Sequence, residues 1–291
     1  MDPMRPEGDD RRTPPDRRRA GVIGWPISHS LSPRIHGFWL SRHGLDGSYE
    51  ILGIEPERFH LVFPTLPGQG FAGVNVTIPF KEWVLDYATR VTPAVRKTGA
   101  ANTLVFADDG TIEADNTDVA GFLMNVKSSA PDWSARAGPA VVIGAGGAAR
   151  AIVWALLGEG APAVTVVNRT RSRAEDLCRH FGERVRSADW QGLDGALDGT
   201  ATIVNTTSLG MTGQPPLEVA FTPDRRRALV VDIVYNPLKT AFLAAAESNG
   251  NPTVSGLGML LHQAVPGFSA WFGVRPEVDD GLWEAVVEGL Q

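Results

Sequence analysis

Hydrophobic positions fall into short runs separated by stretches with helical spacing. Runs at residues 21–24, 48–54 and 71–76 alternate with helical patterns over 33–43 and 56–66. That order predicts βαβαβ, and hence an α/β unit with mainly parallel strands. A helix is predicted to lead out over 118–126, and residues 131–139, small and polar between two prolines, read as a linker. A second unit starts at Ala140. Its apolar runs lie at 140–143, 164–167, around Val185, at 201–204 and at 229–234, with helical stretches between most of them, as in a doubly wound nucleotide domain. After Gly256 apolar residues recur at helical spacing, which predicts helices able to return onto the first unit.

The sharpest local signal is Ala140-Val-Val-Ile-Gly144-Ala145-Gly146-Gly147-Ala148-Ala149-Arg150. A β-branched run breaks into a glycine-rich turn and then into an apolar helix, the context in which a dinucleotide pyrophosphate is held. Gly144 permits the tight turn, Gly146 lets backbone approach phosphate, Ala149 fills the small third position, and the helix start offers N–H groups to an anion. About twenty residues beyond such a turn, an acid commonly takes the ribose 2′-hydroxyl of NAD. Here the second strand ends instead in Asn168-Arg-Thr-Arg-Ser-Arg173. Arg169 and Arg173, four apart where a helix begins, are placed to grip a 2′-phosphate, which predicts NADP(H) rather than NAD. Cations at a helix start oppose its dipole and call for a compensating anion.

Hydrophobic residues make up 43% and charged residues 21% of the 291, a globular balance with length enough for two cores. The apolar runs are too short to span a bilayer, so no membrane role is expected. A net charge of -6 argues against a broad nucleic-acid surface, and the eight tryptophans form no stacking platform. The single cysteine, Cys178, excludes an internal disulfide, suits a reducing cytosol and reads as a buried helix residue. Residues 1–19 carry six arginines, five acids and four prolines without apolar periodicity, and are expected to form a disordered tail. The acids argue against a transit peptide and the missing apolar segment against a secretory signal, so a cytoplasmic location is expected.

Candidate chemistry clusters at strand ends of the first unit. Ser32-Pro33 reads as a helix start with serine as N-cap and proline at the first helical position, which leaves Ser30 for another task, such as joining Ser32 on a carboxylate. Asn75, Thr77 and Lys81 lie at the carboxyl end of the third strand, where α/β ligands bind. Asp115-Asn-Thr-Asp118 opens the next helix, and either aspartate is able to cap it. His29, His36 and His43 recur every seven residues; seven helical residues span roughly 10.5 Å, too far for the last two to share an ion, so a structural role is expected and no metal site.

Nine motifs in order carry a resemblance to shikimate dehydrogenase from Ala20 onward: Ser30-Leu-Ser32-Pro33, Asn75-Val-Thr77-Ile-Pro-Phe-Lys81, Gly99-Ala-Ala-Asn102-Thr, Asp115-Asn-Thr-Asp118, Gly144-Ala-Gly-Gly-Ala-Ala149, Asn168-Arg-Thr170, Asn205-Thr-Thr-Ser208, Tyr235-Asn-Pro-Leu-Lys239-Thr and Gly256-Leu-Gly-Met259-Leu-Leu-His-Gln263. The resemblance implies an N-terminal α/β substrate domain over 20–118, completed by C-terminal helices over 256–291. It also implies a Rossmann-like doubly wound NADP-binding domain over 119–255, with a cleft between the two. Ser30, Ser32, Thr77 and Tyr235 would surround a substrate carboxylate, Asn75, Lys81, Asn102, Asp118 and Gln263 would hold ring hydroxyls, and Lys81 with Asp118 would be the catalytic pair. The cofactor would lie against Gly144, Ala145, Gly146, Gly147, Ala148, Asn168, Arg169, Thr170, Arg173, Thr206, Ser208, Gly256 and Met259.

The implied activity is reversible NADPH-dependent reduction of 3-dehydroshikimate to shikimate, by a monomer or homodimer that binds neither nucleic acid nor membrane. Oxidising a secondary alcohol requires a proton to leave oxygen. A lysine pressed between ligand and cofactor loses charge on desolvation and acts as acid or base, while an adjacent carboxylate holds the proton on it, so which of the two transfers the proton stays open. The alternatives are a quinate/shikimate dehydrogenase using NAD, against which Ser32 and the two arginines argue, an aminoshikimate-type dehydrogenase, and a non-catalytic NADP-binding regulator, which would lack the Lys81 and Asp118 pair.

Overall fold

The structure is a computed structural model and describes residues 18–290. The first lobe runs β1 (Arg18–Gly24), α1 (Ser32–Arg42), β2 (Gly47–Gly53), α2 (Phe59–Val62), β3 (Phe71–Val76), β4 (Arg90–Val91), α3 (Pro93–Thr98), β5 (Thr103–Phe106) and β6 (Ile112–Asp115), and α4 (Asp118–Ser129) leads out of it. The expected tail lies outside the described residues except for Arg18 and Arg19, which open β1 two residues early. Arg18 Nη1 donates to the Trp271 carbonyl at 2.9 Å, and Arg19 pairs with Glu50 at 2.9 Å while lying over the Phe71 ring, so both cations have anchors.

Strands of this lobe lie in the order β2-β1-β3-β5-β6-β4. β2, β1 and β3 are parallel as their spacing suggests, but β5 runs antiparallel to β3 and β6, so the sheet is mixed. The β5–β6 hairpin turns at Asp109-Gly110, with Gly110 at φ +82; that Asp-Gly pair was its sequence signal. The helix expected over 56–66 is instead a chain of single turns, Pro56–Arg58, α2 and Phe63–Thr65. Pro64 explains this, since it lacks an N–H and its ring clashes with the carbonyl four residues back.

The second lobe runs β7 (Ala140–Ile143), α5 (Gly147–Gly158), β8 (Val164–Val167), α6 (Arg171–Phe181), β9 (Val185–Ala188), α7 (Leu193–Ala196), β10 (Thr202–Asn205), β11 (Leu229–Asp232), α8 (Ala241–Asn249) and β12 (Thr253–Val254). Its order β12-β11-β10-β7-β8-β9 is parallel throughout. Strand order reverses between β7 and β10, the switch point at which α/β sheets bind ligands. Apolar clusters cover both faces of this sheet, as an all-parallel sheet requires.

Among the described residues, two helices join the lobes. α4 leaves the first sheet, and α9 (Leu257–Phe272) crosses it on the way back to α1, where α10 (Asp280–Val287) also packs. The crossing is close: a Cβ on Gly121 would lie 2.8 Å from Gln263 Cβ, and one on Gly258 2.0 Å from Asn125 Oδ1. Both glycines are there because the helices touch.

Candidate active site

The loop after β3 carries Lys81 to the first residue of α4. Lys81 Nζ lies 2.5 Å from Asp118 Oδ2, with the side chains 14% and 7% exposed. Neither Asp115 nor Asp118 caps α4. Asp115 Oδ1 accepts from Thr92 Oγ1 at 2.6 Å and from the Asn116 amide at 2.8 Å, while Asn116 Oδ1 accepts the Asp118 amide at 3.2 Å. That leaves the Asp118 carboxylate for side chains.

Buried Asn102, just before β5, ties the group together. Its two Nδ2 hydrogens are shared among Asp118 Oδ1 at 2.8 Å, Thr117 Oγ1 at 2.9 Å and Gln263 Oε1 at 3.1 Å, and its Oδ1 accepts the Thr117 amide at 2.8 Å. Gln263, on α9, is held by its own Nε2 donating to the Leu260 carbonyl at 3.0 Å. Lys81, Asn102, Asp118 and Gln263 are thus one bonded group. Asn75 joins it, donating from Nδ2 to the Asn102 carbonyl at 3.2 Å and to Thr103 Oγ1 at 3.1 Å. Every one of these polar groups is hydrogen-bonded despite burial, so the network is rigid rather than costly.

The expected carboxylate group is looser. Ser32 is not the N-cap of α1: it lies inside the first turn, Leu31 precedes it without a side-chain cap, and Ser30 Oγ accepts the Ser32 amide at 3.3 Å. The roles read from sequence are reversed, because the turn at 27–30 brings the earlier hydroxyl under the helix start. Thr77 is half-buried beside the end of β1, where a Cβ on Gly24 would meet its methyl at 2.4 Å. Tyr235 follows β11, half-buried against the apolar cluster built from α1, α9 and α10, and burial pushes its hydroxyl above the usual tyrosine range, which keeps the proton on it. Among the described residues, neither Thr77 nor Tyr235 makes a side-chain hydrogen bond.

Tyr49 was missed. It lies on β2 opposite Ala20 of β1, its hydroxyl donates to Asn75 Oδ1 at 2.6 Å, and it sits against the Ser32 hydroxyl. His36 of α1, fully buried, stacks on the Tyr49 ring at 3.9 Å with the planes parallel. The imidazole sits beside the Asn75 amide but makes no well-formed hydrogen bond to it, and burial lowers its pKa to about 3, so it is neutral. The only sequence signal for Tyr49 was a polar-tipped aromatic at a strand position facing a small residue.

On the second lobe, Gly144 takes φ +113, and a Cβ there would meet Thr206 Oγ1 at 2.5 Å. Gly146 precedes α5 with open space where a Cβ would stand, so the turn offers backbone outward, as an anion requires. Ala145 is buried and Ala148 half-buried at this turn. Gly147 packs on Lys81, 3.1 Å from Cδ and 3.2 Å from Cβ for an added Cβ, which sets the glycine turn against the lysine of the other lobe.

Across the switch point, Thr206 Oγ1 donates to the Ile143 carbonyl at 2.8 Å, and Ser208 is exposed. This loop is held by Asn205, whose Nδ2 donates to Asp232 Oδ1 at 2.9 Å and whose Oδ1 accepts from Thr207. Burial pushes the Asp232 carboxyl up, opposed by hydrogen bonds from Thr240, Val234 and Asn205. Asn168 Nδ2 donates to the Thr170 carbonyl at 2.8 Å, shaping the turn before α6. Arg169 and Arg173 are exposed and, among the described residues, without an anionic partner, whereas Arg171 between them pairs with Glu175 at 2.9 Å. Cys178 is half-buried on α6 rather than buried. Gly256 packs on the Ile233 carbonyl, 2.2 Å from an added Cβ, and Met259 is buried in the core of the second lobe.

The family model for the shikimate dehydrogenase substrate binding domain matches residues 22–104, that for shikimate/quinate 5-dehydrogenase residues 127–236, and that for the shikimate 5′-dehydrogenase C-terminal domain residues 256–280. A shikimate dehydrogenase (NADP(+)) of Paracoccus denitrificans (strain Pd 1222) is 53% identical over 279 residues, covering 96% of this chain and 99% of that one. A solved shikimate 5-dehydrogenase from Thermus thermophilus, in complex with NADP(H) and shikimate, is 35% identical with a TM-score of 0.77, covering 93% and 99% of the two chains. A quinate dehydrogenase from Corynebacterium glutamicum, in complex with NAD, is 28% identical with a TM-score of 0.82, covering 94% and 99%.

Proposed function

The chain belongs to the shikimate dehydrogenase family, and we infer that it catalyses the reversible NADPH-dependent reduction of 3-dehydroshikimate to shikimate, on the route to chorismate and the aromatic amino acids. The observation that carries the reading is the Lys81–Asp118 contact, 2.5 Å long, shielded from water and packed against Gly147 of the nucleotide turn. NADP(H) supplies and accepts the hydride when bound. The chain's residues do the rest.

In the direction of reduction, the Lys81–Asp118 pair delivers a proton to the oxygen of the substrate carbonyl as it becomes an alcohol. Asn102 holds the far oxygen of Asp118, so the carboxylate keeps one face for Lys81. Asn75, Asn102 and Gln263 receive the ring hydroxyls, and Ser30, Ser32, Thr77 and the protonated Tyr235 hydroxyl donate to the carboxylate, an arrangement with charge-assisted strength. The turn 144–148, Asn168, Thr170, Thr206, Ser208, Gly256 and Met259 form the cofactor surface. Arg169 and Arg173 take the 2′-phosphate, and their lack of an anionic partner among the described residues supports NADP(H) over NAD. We place the enzyme in the cytoplasm, as a monomer or homodimer.

Initial rates for shikimate and quinate, each with NADP and NAD, test this reading. Shikimate with NADP is expected to give the highest kcat/KM, with a drop when either component is exchanged. Faster turnover of quinate with NAD would overturn it.

A further inference from the structure

Asn75 is committed on three of its four hydrogen-bonding positions. Both Nδ2 hydrogens are taken, by the Asn102 carbonyl at 3.2 Å and Thr103 Oγ1 at 3.1 Å, and Oδ1 accepts the Tyr49 hydroxyl at 2.6 Å. The amide cannot be turned over, because a carbonyl oxygen facing the Asn102 carbonyl would have nothing to accept. What remains open is the second lone pair of Oδ1, on a side chain joined through Asn102 to the Lys81–Asp118 group.

We propose that Tyr49 is a specificity-determining positioning residue: its hydroxyl fixes Asn75 with only an acceptor toward the substrate, so that this wall of the pocket takes a ring hydroxyl as a donor. The Tyr49 ring is clamped by His36, parallel at 3.9 Å, with Trp271 at 6.0 Å on another side. Neither imidazole nitrogen competes for the Tyr49 hydroxyl. The phenol therefore has one well-formed donor bond and little freedom to leave it. Burial raises the phenol pKa well above the ordinary value, so the proton stays in place across the working range.

The inference rests on the reading of the site as a shikimate pocket, and the test separates the two. Tyr49→Phe keeps the stack and deletes the donor, Asn75→Ala deletes the group it acts through, and the double variant closes the cycle. Steady-state rates with shikimate and NADP are read beside the thermal midpoint. Tyr49→Phe is expected to raise KM for shikimate about tenfold while kcat and KM for NADP stay within about twofold, the cost of one buried hydrogen bond that orders the binding group. Added to Asn75→Ala it should have no further effect on KM. Unchanged KM in Tyr49→Phe, a full effect persisting in the Asn75→Ala background, or a fall in kcat and thermal midpoint without a rise in KM would each overturn the proposal. An unsubstituted chain that does not turn over shikimate overturns the functional reading and this inference with it, and shows before any variant is made.

Discussion

The two lobes present their ligand surfaces by opposite means. In the second, the backbone does it: a turn with Gly144 at φ +113 and an open face at Gly146 sits at the switch point of an all-parallel sheet. The side chains of β7 and most of those of α5 behind it are apolar and packed, with Arg150 reaching out to the Thr98 carbonyl. In the first lobe, side chains do it, with Asn75, Asn102, Asn116, Thr117 and Asp118 all buried at the edge of a mixed sheet and bonded to one another. A backbone site needs small residues and a fixed bend. A side-chain site needs each polar atom matched, because an unmatched one in such a place costs about 1–3 kcal/mol.

The sharpest way to break this contrast is to strike the side-chain surface where it meets chemistry. Lys81→Ala should lower kcat by at least about 100-fold, with a much smaller change in KM for shikimate, since the loss is of proton transfer rather than of binding. Stopped assays of NADPH formation would show it, and near-normal kcat would remove the lysine from the proposed role. The nucleotide side should respond in the other parameter. Replacing Arg169 and Arg173 together by alanine should raise KM for NADP by about 10- to 100-fold, leave KM for shikimate alone and hardly affect NAD, as expected for two charge-assisted contacts to one phosphate. Equal losses for both cofactors would mean the arginines serve helix α6 instead.

The smallest effect tests the cost of burying polar groups in the first lobe. His36 stays neutral when folded down to about pH 3, whereas an unfolded histidine protonates near 6.5. The unfolded chain therefore takes up the proton first, and folding stability falls as pH drops below 6.5. At about 1.4 kcal/mol per pH unit this amounts to about 2 kcal/mol by about pH 5. His36→Phe, which forfeits no hydrogen bond, should flatten that slope in denaturant titrations, while an unaltered slope would assign the acid sensitivity elsewhere.

What the chain disclosed in advance follows the same division. Gly144 to Ala149 was legible without any relative, because a tight bend, an open phosphate face and a packed helix each demand a small residue at a fixed spacing. Lys81, Asn102, Asp118 and Gln263 come from the β3 loop, the residue before β5, the start of α4 and the middle of α9, so nothing local joins them and the resemblance alone grouped them. Tyr49 escaped both routes. Its importance lies in the register of β1 against β2 and in a contact over β1 to Asn75 on β3, neither of which a linear pattern encodes. The β5–β6 hairpin was missed because each strand is four residues long, too short for alternation to stand out, and the turns over 56–66 were misread because spacing was weighed above Pro64.

The tight crossing of α4 and α9 at Gly121 and Gly258 has a mechanical consequence. Asp118 begins one of these struts and Gln263 rides the middle of the other, so a swing of the nucleotide sheet would pivot close to the proposed catalytic pair. Widening would be greatest at the far rim, where the adenine end of a dinucleotide must enter, and least at the ammonium and its carboxylate. A jaw hinged this way can admit and release its large ligand without disassembling the proposed proton-transfer pair each time.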